Sequence, residues 1–192
     1  MNKSGNDNRS VRNTKRRLRD GLLQLMEARP LQEISVKELT ELVDVNRGTF
    51  YFHYADLYAL LREMEQDFFE AFSRTLHENI PAGEAAYHYL LGAIFAFLGE
   101  NRSFCRIMLG PHGDMQFVER VKDLVDDTIS YFWQLKAGRS DPAKYEMYNV
   151  FIINGCIGLI QKWLNAPGST SPADMAELAA TIILESVNSC IA

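Results

Sequence analysis

Apolar residues recur along this chain at intervals of three, four and seven, the spacing that gathers them on one side of an α-helix. Val11, Leu18, Leu22, Leu25 and Met26 make one such stripe, which predicts a first helix over Val11 to Ala28. Arg29-Pro30 ends it, because proline restricts the residue before it and has no N–H to continue the ladder. Ser35 followed by Glu38 has the pattern of a capping box, with Ile34 placed to staple onto Leu39, so a second helix starts at Ser35. That helix is short. In Val43-Asp44-Val45-Asn46, Asp44 tolerates a left-handed turn position, Asn46 is a favourable N-cap, and Val45 is spaced to staple onto Phe50. A third helix follows from about Arg47 to Tyr54.

Longer helices come next. Leu57, Leu60, Leu61, Met64, Phe68, Ala71 and Phe72 predict a helix to about His77, broken by Pro81-Ala82-Gly83. Further helices are expected over Glu84 to Gly99 and Ser103 to Leu109, then from an Asp114 cap to Gly138, from Asp141-Pro142 to Asn165, and from Ser171-Pro172 to the end. No hairpin signal, internal repeat or low-complexity stretch interrupts them. The fold class is therefore all-α, with about nine helices.

Composition narrows the field. The chain has 192 residues, 47% of them hydrophobic and 23% charged, as in an ordinary globular protein that can bury a core. The longest nearly unbroken apolar run, Val150 to Ile160, falls short of the roughly 18 residues of a membrane span, and the polar start of the chain lacks a secretory signal. Neither membrane association nor export is expected, and a cytoplasmic location follows. Cys105, Cys156 and Cys190 lack metal-ligand spacing and read as small buried hydrophobes. His53, His77, His88 and His112 are scattered, and there is no phosphate-binding glycine loop or nucleophile elbow. Neither an enzyme nor a cofactor is indicated.

Charge is uneven. Residues 1–54 carry a balance of +3 and residues 55–192 one of −8. Within the basic head, Arg9, Arg12, Lys15, Arg16, Arg17 and Arg19 form a cluster suited to an anionic polymer. Two short helices joined by a tight turn behind that basic helix are the arrangement of a helix-turn-helix reader, with the third helix as recognition helix. Asn46, Arg47, Gly48 and Thr49 stand at its start, able to reach base edges and phosphates. Tyr51, His53 and Tyr54 follow with donors for phosphate oxygens; for each of these three, packing inside the head is the competing reading. Phe50 and Phe52 read as packing residues. Arg12, Lys15 and Arg16, with Ser35, Val36 and Lys37 at the start of the second helix, complete the candidate DNA surface.

The segment Val43-Asp44-Val45-Asn46-Arg47-Gly48-Thr49-Phe50-Tyr51-Phe52-His53-Tyr54, followed by Ala55-Asp56-Leu57-Tyr58-Ala59-Leu60-Leu61, resembles the signature of the tetracycline-repressor (TetR) family of transcriptional regulators. Two positions depart from it: Asp44 stands where the family commonly has glycine, and Leu57 where it commonly has lysine. The resemblance implies a DNA-binding domain over 1–54 and a helical effector-binding and dimerisation domain over 55–192. It implies a repressor that binds a pseudo-palindromic operator in double-stranded DNA as a homodimer and is released by a small molecule. A coactivator controlled by a protein partner, like those serving dihydroxyacetone kinase operons, is the alternative.

The residues speak to both parts of that domain. Gly155 and Gly158 cost helix propensity, roughly 1 kcal/mol each, and the close approach of another helix is the simplest reason for them. Ile152, Gly155, Cys156, Leu159 and Trp163, with Leu178, Ile182 and Val187 of the last helix, are the expected dimer interface, a core helix within the chain being the competing reading. Phe68, Phe72, Tyr89, Phe104, Met108, His112, Phe117 and Tyr131 are the candidate effector pocket, with core packing the competing reading for the aromatic ones; few inward polar groups accompany them, which suggests an apolar or aromatic effector.

Overall fold

A computed structural model of the chain describes residues 3–78, 86–136, 142–166, 168 and 170–191; at 3–8, 86–87, 128–136, 142–145 and 186–191 it describes backbone alone. The Pro81 to Gly83 break, the stop at Gly138 and the Asp141 cap lie outside the described residues, as do the side chains of Tyr131, Val187 and Cys190. Among the described residues there are nine α-helices and no strand.

Two compact units divide the chain. One comprises the residues up to Phe69 with Pro111–Gly113, the other Glu70–Gly110 and Asp114 onward. The boundary thus falls inside the fourth helix, whereas the sequence places it after Tyr54. The reason is in the side chains: Leu57, Leu60, Leu61 and Met64 are all buried with the head.

In the first unit, α1 (Lys3–Met26) begins eight residues before the predicted start, since extending a nucleated helix fixes one residue per added hydrogen bond. A single 3-10 turn, Leu31–Glu33, leads to α2 (Val36–Leu42), and α3 (Arg47–His53) precedes α4 (Leu57–Glu78). Both halves of the capping box at Ser35 and Glu38 form. Leu18, Leu22, Leu39, Phe50 and Leu60 are fully buried, each contributing roughly 1.5–3 kcal/mol by leaving water. Gly21 is where α1 meets α2: a Cβ there would lie 2.2 Å from Cγ1 of Val43. The turn between α2 and α3 has Asp44 at φ +48°, the left-handed conformation expected of it. The Arg17 guanidinium donates to the carbonyl oxygens of Val43 and Asp44 and so closes the end of α2.

The second unit contains α5 (Ala86–Glu100), α6 (Arg102–Met108), α7 (Met115–Lys136), α8 (Pro142–Asn165) and α9 (Pro172–Ile191). Helix α5 runs along α9, and α8 packs against α6 and α7. Aromatic pairs fill the interior: Phe72 stacks on Phe97 at 5.3 Å, and Phe95 meets Trp163, and Phe104 meets Phe117, edge to face. One Arg102 nitrogen donates to the carbonyls of Trp163, Leu164 and Ala166 at 2.8–2.9 Å, capping α8, while the guanidinium lies over the Trp163 ring. Ser171 and Asp174 form a second reciprocal cap at the start of α9.

Candidate nucleic-acid interface

The third helix is seven residues long and is held by one anchor. Phe50 is fully buried, and four residues on, one helical turn away, Tyr54 is 4% exposed. Between them Tyr51 is 58% exposed and Phe52 82%. The expected packing role of Phe52 is therefore corrected; it lies two residues from the anchor, on the opposite side of the helix. His53 is half-buried with its ring 5.0 Å from that of Phe52. Arg47 and Thr49 are exposed, and Arg47 stands 3.8 Å from Glu41. Asn46 caps the helix, its Oδ1 accepting from the Gly48 amide at 2.7 Å, so the side chain proposed for base contact is already committed to backbone.

Tyr54 is turned away from the surface. Its hydroxyl donates to Glu63 Oε1 at 2.7 Å, and Lys15 Nζ lies 5.3 Å from the centre of its ring. A phosphate contact from Tyr54 is not available in this arrangement. Glu63 also receives Lys15 at 2.9 Å and Arg19 at 2.6 Å, and Arg19 reaches Asp67 as well. Burial pushes the Glu63 carboxyl up, but hydrogen bonds from Lys15, Arg19 and Tyr54 outweigh it and hold the pKa at about 2. Burial first, then the bond to Glu63, pushes the Tyr54 hydroxyl above its ordinary range. Part of the basic cluster therefore binds the head together.

The outward cations are Arg9, Arg12 and Arg16, which with Asn13 line one open groove along α1. Arg16 is steadied by Asn13 at 2.9 Å. At the start of α2, Ser35 is occupied by its cap, Val36 is half-buried, and Lys37 is exposed near Glu41. Leu57, the departure from the family signature, is buried at 5% exposure, and Tyr58 beside it is 45% exposed. The position is thus a core residue of the head.

Residues read from the sequence as an effector pocket scatter in environment. Phe68, Phe72, Phe104, Met108 and Phe117 are buried, His112 is half-buried, and Tyr89 is 59% exposed. Those read as a dimer interface divide. Ile152 and Trp163 are buried within the subunit, Trp163 donating its indole N–H to the Thr170 carbonyl. Gly155, Leu178 and Ile182 lie on the surface, with Cys156 and Leu159 partly covered. Met147, Val150 and Phe151 of α8 are 71%, 55% and 70% exposed and were not singled out. Their signal is the spacing Met147, Phe151, Asn154, Gly158, one continuous helical face. The Cys105 thiol is pushed up to about 12 by burial and that of Cys156 to about 11, which keeps both protonated.

An all-helical chain with a helix-turn-helix at its head and a separate helical unit behind it has the architecture of a two-unit transcription regulator. Residues 86–185 match the family model for a TetR transcriptional regulator C-terminal region, and the chain belongs to the TetR family. It is 26% identical over 172 residues to the HTH-type transcriptional regulator YxbF of Bacillus subtilis strain 168, covering 83% of this chain and 42% of that protein. The chain thus spans less than half the length of that curated relative. Among solved structures it is similar to a TetR-like regulator from Rhodococcus sp. RHA1, with TM-score 0.70, 16% identity and coverage of 90% and 94% of the two chains. It is also similar to the dihydroxyacetone kinase operon activator DhaS, with TM-score 0.59, 14% identity and coverage of 92% and 97%. No helix among the described residues is long and apolar enough to cross a membrane.

Proposed function

We propose that this regulator acts by binding rather than catalysis, reading a pseudo-palindromic operator through α3 as a homodimer. The observation that carries the reading is the outward face of α3: Arg47, Thr49, Tyr51 and Phe52 are exposed on a helix too short to need them for its own packing. Arginine suits guanine edges or phosphate, the tyrosine hydroxyl suits phosphate, and an aromatic ring suits the thymine methyl. Arg9, Arg12 and Arg16 supply the sequence-independent attraction.

The dimer reading is supported by the exposed apolar residues Met147, Val150, Phe151, Leu178 and Ile182 on α8 and α9. Reading both half-sites of a pseudo-palindromic operator, about 34–36 Å apart on one turn of DNA, calls for two recognition helices and hence two chains. Repression released by a small molecule is the mode of action proposed, since occupancy of a promoter suffices to block it.

The test is titration of the purified protein onto duplex DNA from upstream of its own gene, from about 50 to 200 mM salt, with its mass in solution measured alongside. A sequence-preferring complex of two chains whose affinity falls steeply with salt is expected. Weak, sequence-blind binding by a monomer overturns the reading.

A further inference from the structure

Arg17 of α1 holds main chain at the turn into the recognition helix. Its Nη2 donates to the carbonyl oxygens of Val43 and Asp44, the latter at 3.1 Å, and stands 3.9 Å from the Asp44 carboxylate. Carbonyls at the end of a helix have no N–H ahead of them, so the guanidinium supplies the donors that α2 lacks. One turn further along the same side of α1, Gly21 lets the helix approach closely: a Cβ there would run into the Val43 side chain.

The two carbonyls belong to the peptide groups that flank the Cα of Asp44. Between those groups lie its two torsions, φ at +48° in the left-handed region and ψ, and together they set the direction in which the chain leaves α2. On either side of Asp44 the chain is already tied, Val45 N–H to the Thr40 carbonyl at 2.9 Å and Asn46 to the Gly48 amide as the cap of α3. One side chain from α1 therefore pins the hinge that aims α3. The residue before it, Arg16, lines the groove with Arg9 and Arg12 on the adjoining side of the same helix. Phosphate contacts fix the register of a protein on the duplex, and base contacts succeed only where the reading helix is held to a fraction of an ångström in that register.

We propose that Arg17 is a positioning residue for sequence readout. It touches neither base nor phosphate, but fixes α3 against the groove side of α1, so that base and backbone contacts are made in one register. The proposal rests on the regulator reading above and adds the residue that turns affinity for DNA into preference for a sequence.

The test is anisotropy titration of the full chain onto duplex DNA from upstream of its own gene and onto a scrambled duplex of equal length, from about 50 to 200 mM salt. Arg17→Met is expected to weaken operator binding about tenfold, with scrambled-duplex binding within about twofold and the salt slope unchanged, since no phosphate contact is lost. Arg17→Lys keeps the charge without the planar fork and is expected to lose about threefold; it decides by the same comparison if Arg17→Met does not fold. Arg16→Met is expected to weaken both duplexes alike and to flatten the slope by about one. Without DNA, amide exchange in Arg17→Met is expected to quicken at Val45 and Phe50 and not at Leu22. Equal loss on both duplexes with a flatter slope makes Arg17 a phosphate contact. A lowered urea midpoint with operator preference intact makes it a structural residue only. Either result overturns this proposal and leaves the regulator reading standing, whereas a wild type without operator preference overturns both.

Discussion

Tyr54 donates its hydroxyl proton to Glu63, which also holds Lys15 and Arg19, so one carboxylate joins the end of α3 to α1 and α4. Replacing it by Glu63→Gln leaves two cations facing a neutral amide. A loss of roughly 1–2 kcal/mol is expected after discounting for its partial exposure, measured by urea unfolding. An unchanged midpoint sinks the idea of a hub.

The same carboxyl sets an acid limit. Its pKa is lowered from an ordinary 4.5 to about 2, and that of Glu38 is lowered equally by hydrogen bonds from Arg29 and Ser35. A depressed carboxyl contributes stability in full above its unfolded pKa and loses it as pH falls through the folded one. Thermal melts are therefore expected to be flat from pH 7 to about 5 and to drop between about 4.5 and 2, less steeply in Glu63→Gln.

Tyr51 and Tyr54 are expected to separate cleanly. Tyr51→Phe removes an exposed hydroxyl, so stability stays within about 0.5 kcal/mol while operator affinity falls several-fold for all sequences. Tyr54→Phe costs about 1 kcal/mol of stability, because Glu63 loses a donor, without changing the operator preference. Parallel melts and anisotropy titrations check both; interchanged effects would reverse the two assignments.

At the turn, Asp44 sits at φ +48° with its side chain fully exposed. Asp44→Val places a β-branched residue in the left-handed region and is expected to cost about 1–2 kcal/mol. Asp44→Gly, by contrast, is expected to be neutral or mildly stabilising in the same unfolding assay.

Three glycines distinguish packing within the chain from packing between chains. Gly21→Ala drives a methyl into Val43 and is expected to cost about 1–3 kcal/mol. Gly155 and Gly158 have nothing within 4 Å of the added Cβ. In an isolated chain Gly158→Ala therefore stabilises α8 by about 0.5–1 kcal/mol. If a second α8 approaches there, the dimer dissociation constant measured by sedimentation rises instead. An unaltered dimer removes Gly158 from the interface.

What the sequence made legible was local. The Ser35 and Asn46 caps and the left-handed Asp44 depend on neighbours within four residues, and the structure has them at those positions. Phe52 is not placed by the sequence, because every residue from Phe50 to Tyr54 is aromatic or histidine and hydrophobicity carries no phase. The spacing from Phe50 to Tyr54 held the missing information. In α8, apolar residues occur on nearly every side, and only burial separates Ile152 and Trp163 inside from Met147 and Phe151 outside.

If the dimer proposed above pairs through the exposed apolar residues of α8 and α9, protein concentration becomes a thermodynamic variable. A face that is satisfied only by association ties the free energy of the fold to mass action, so the melting temperature rises with the amount of protein in the cell. Were the proposed dimer to dissociate below its association threshold, the chain would lose stability and the proposed two-fold grip on DNA together, and its own abundance would set how sharply a promoter responds.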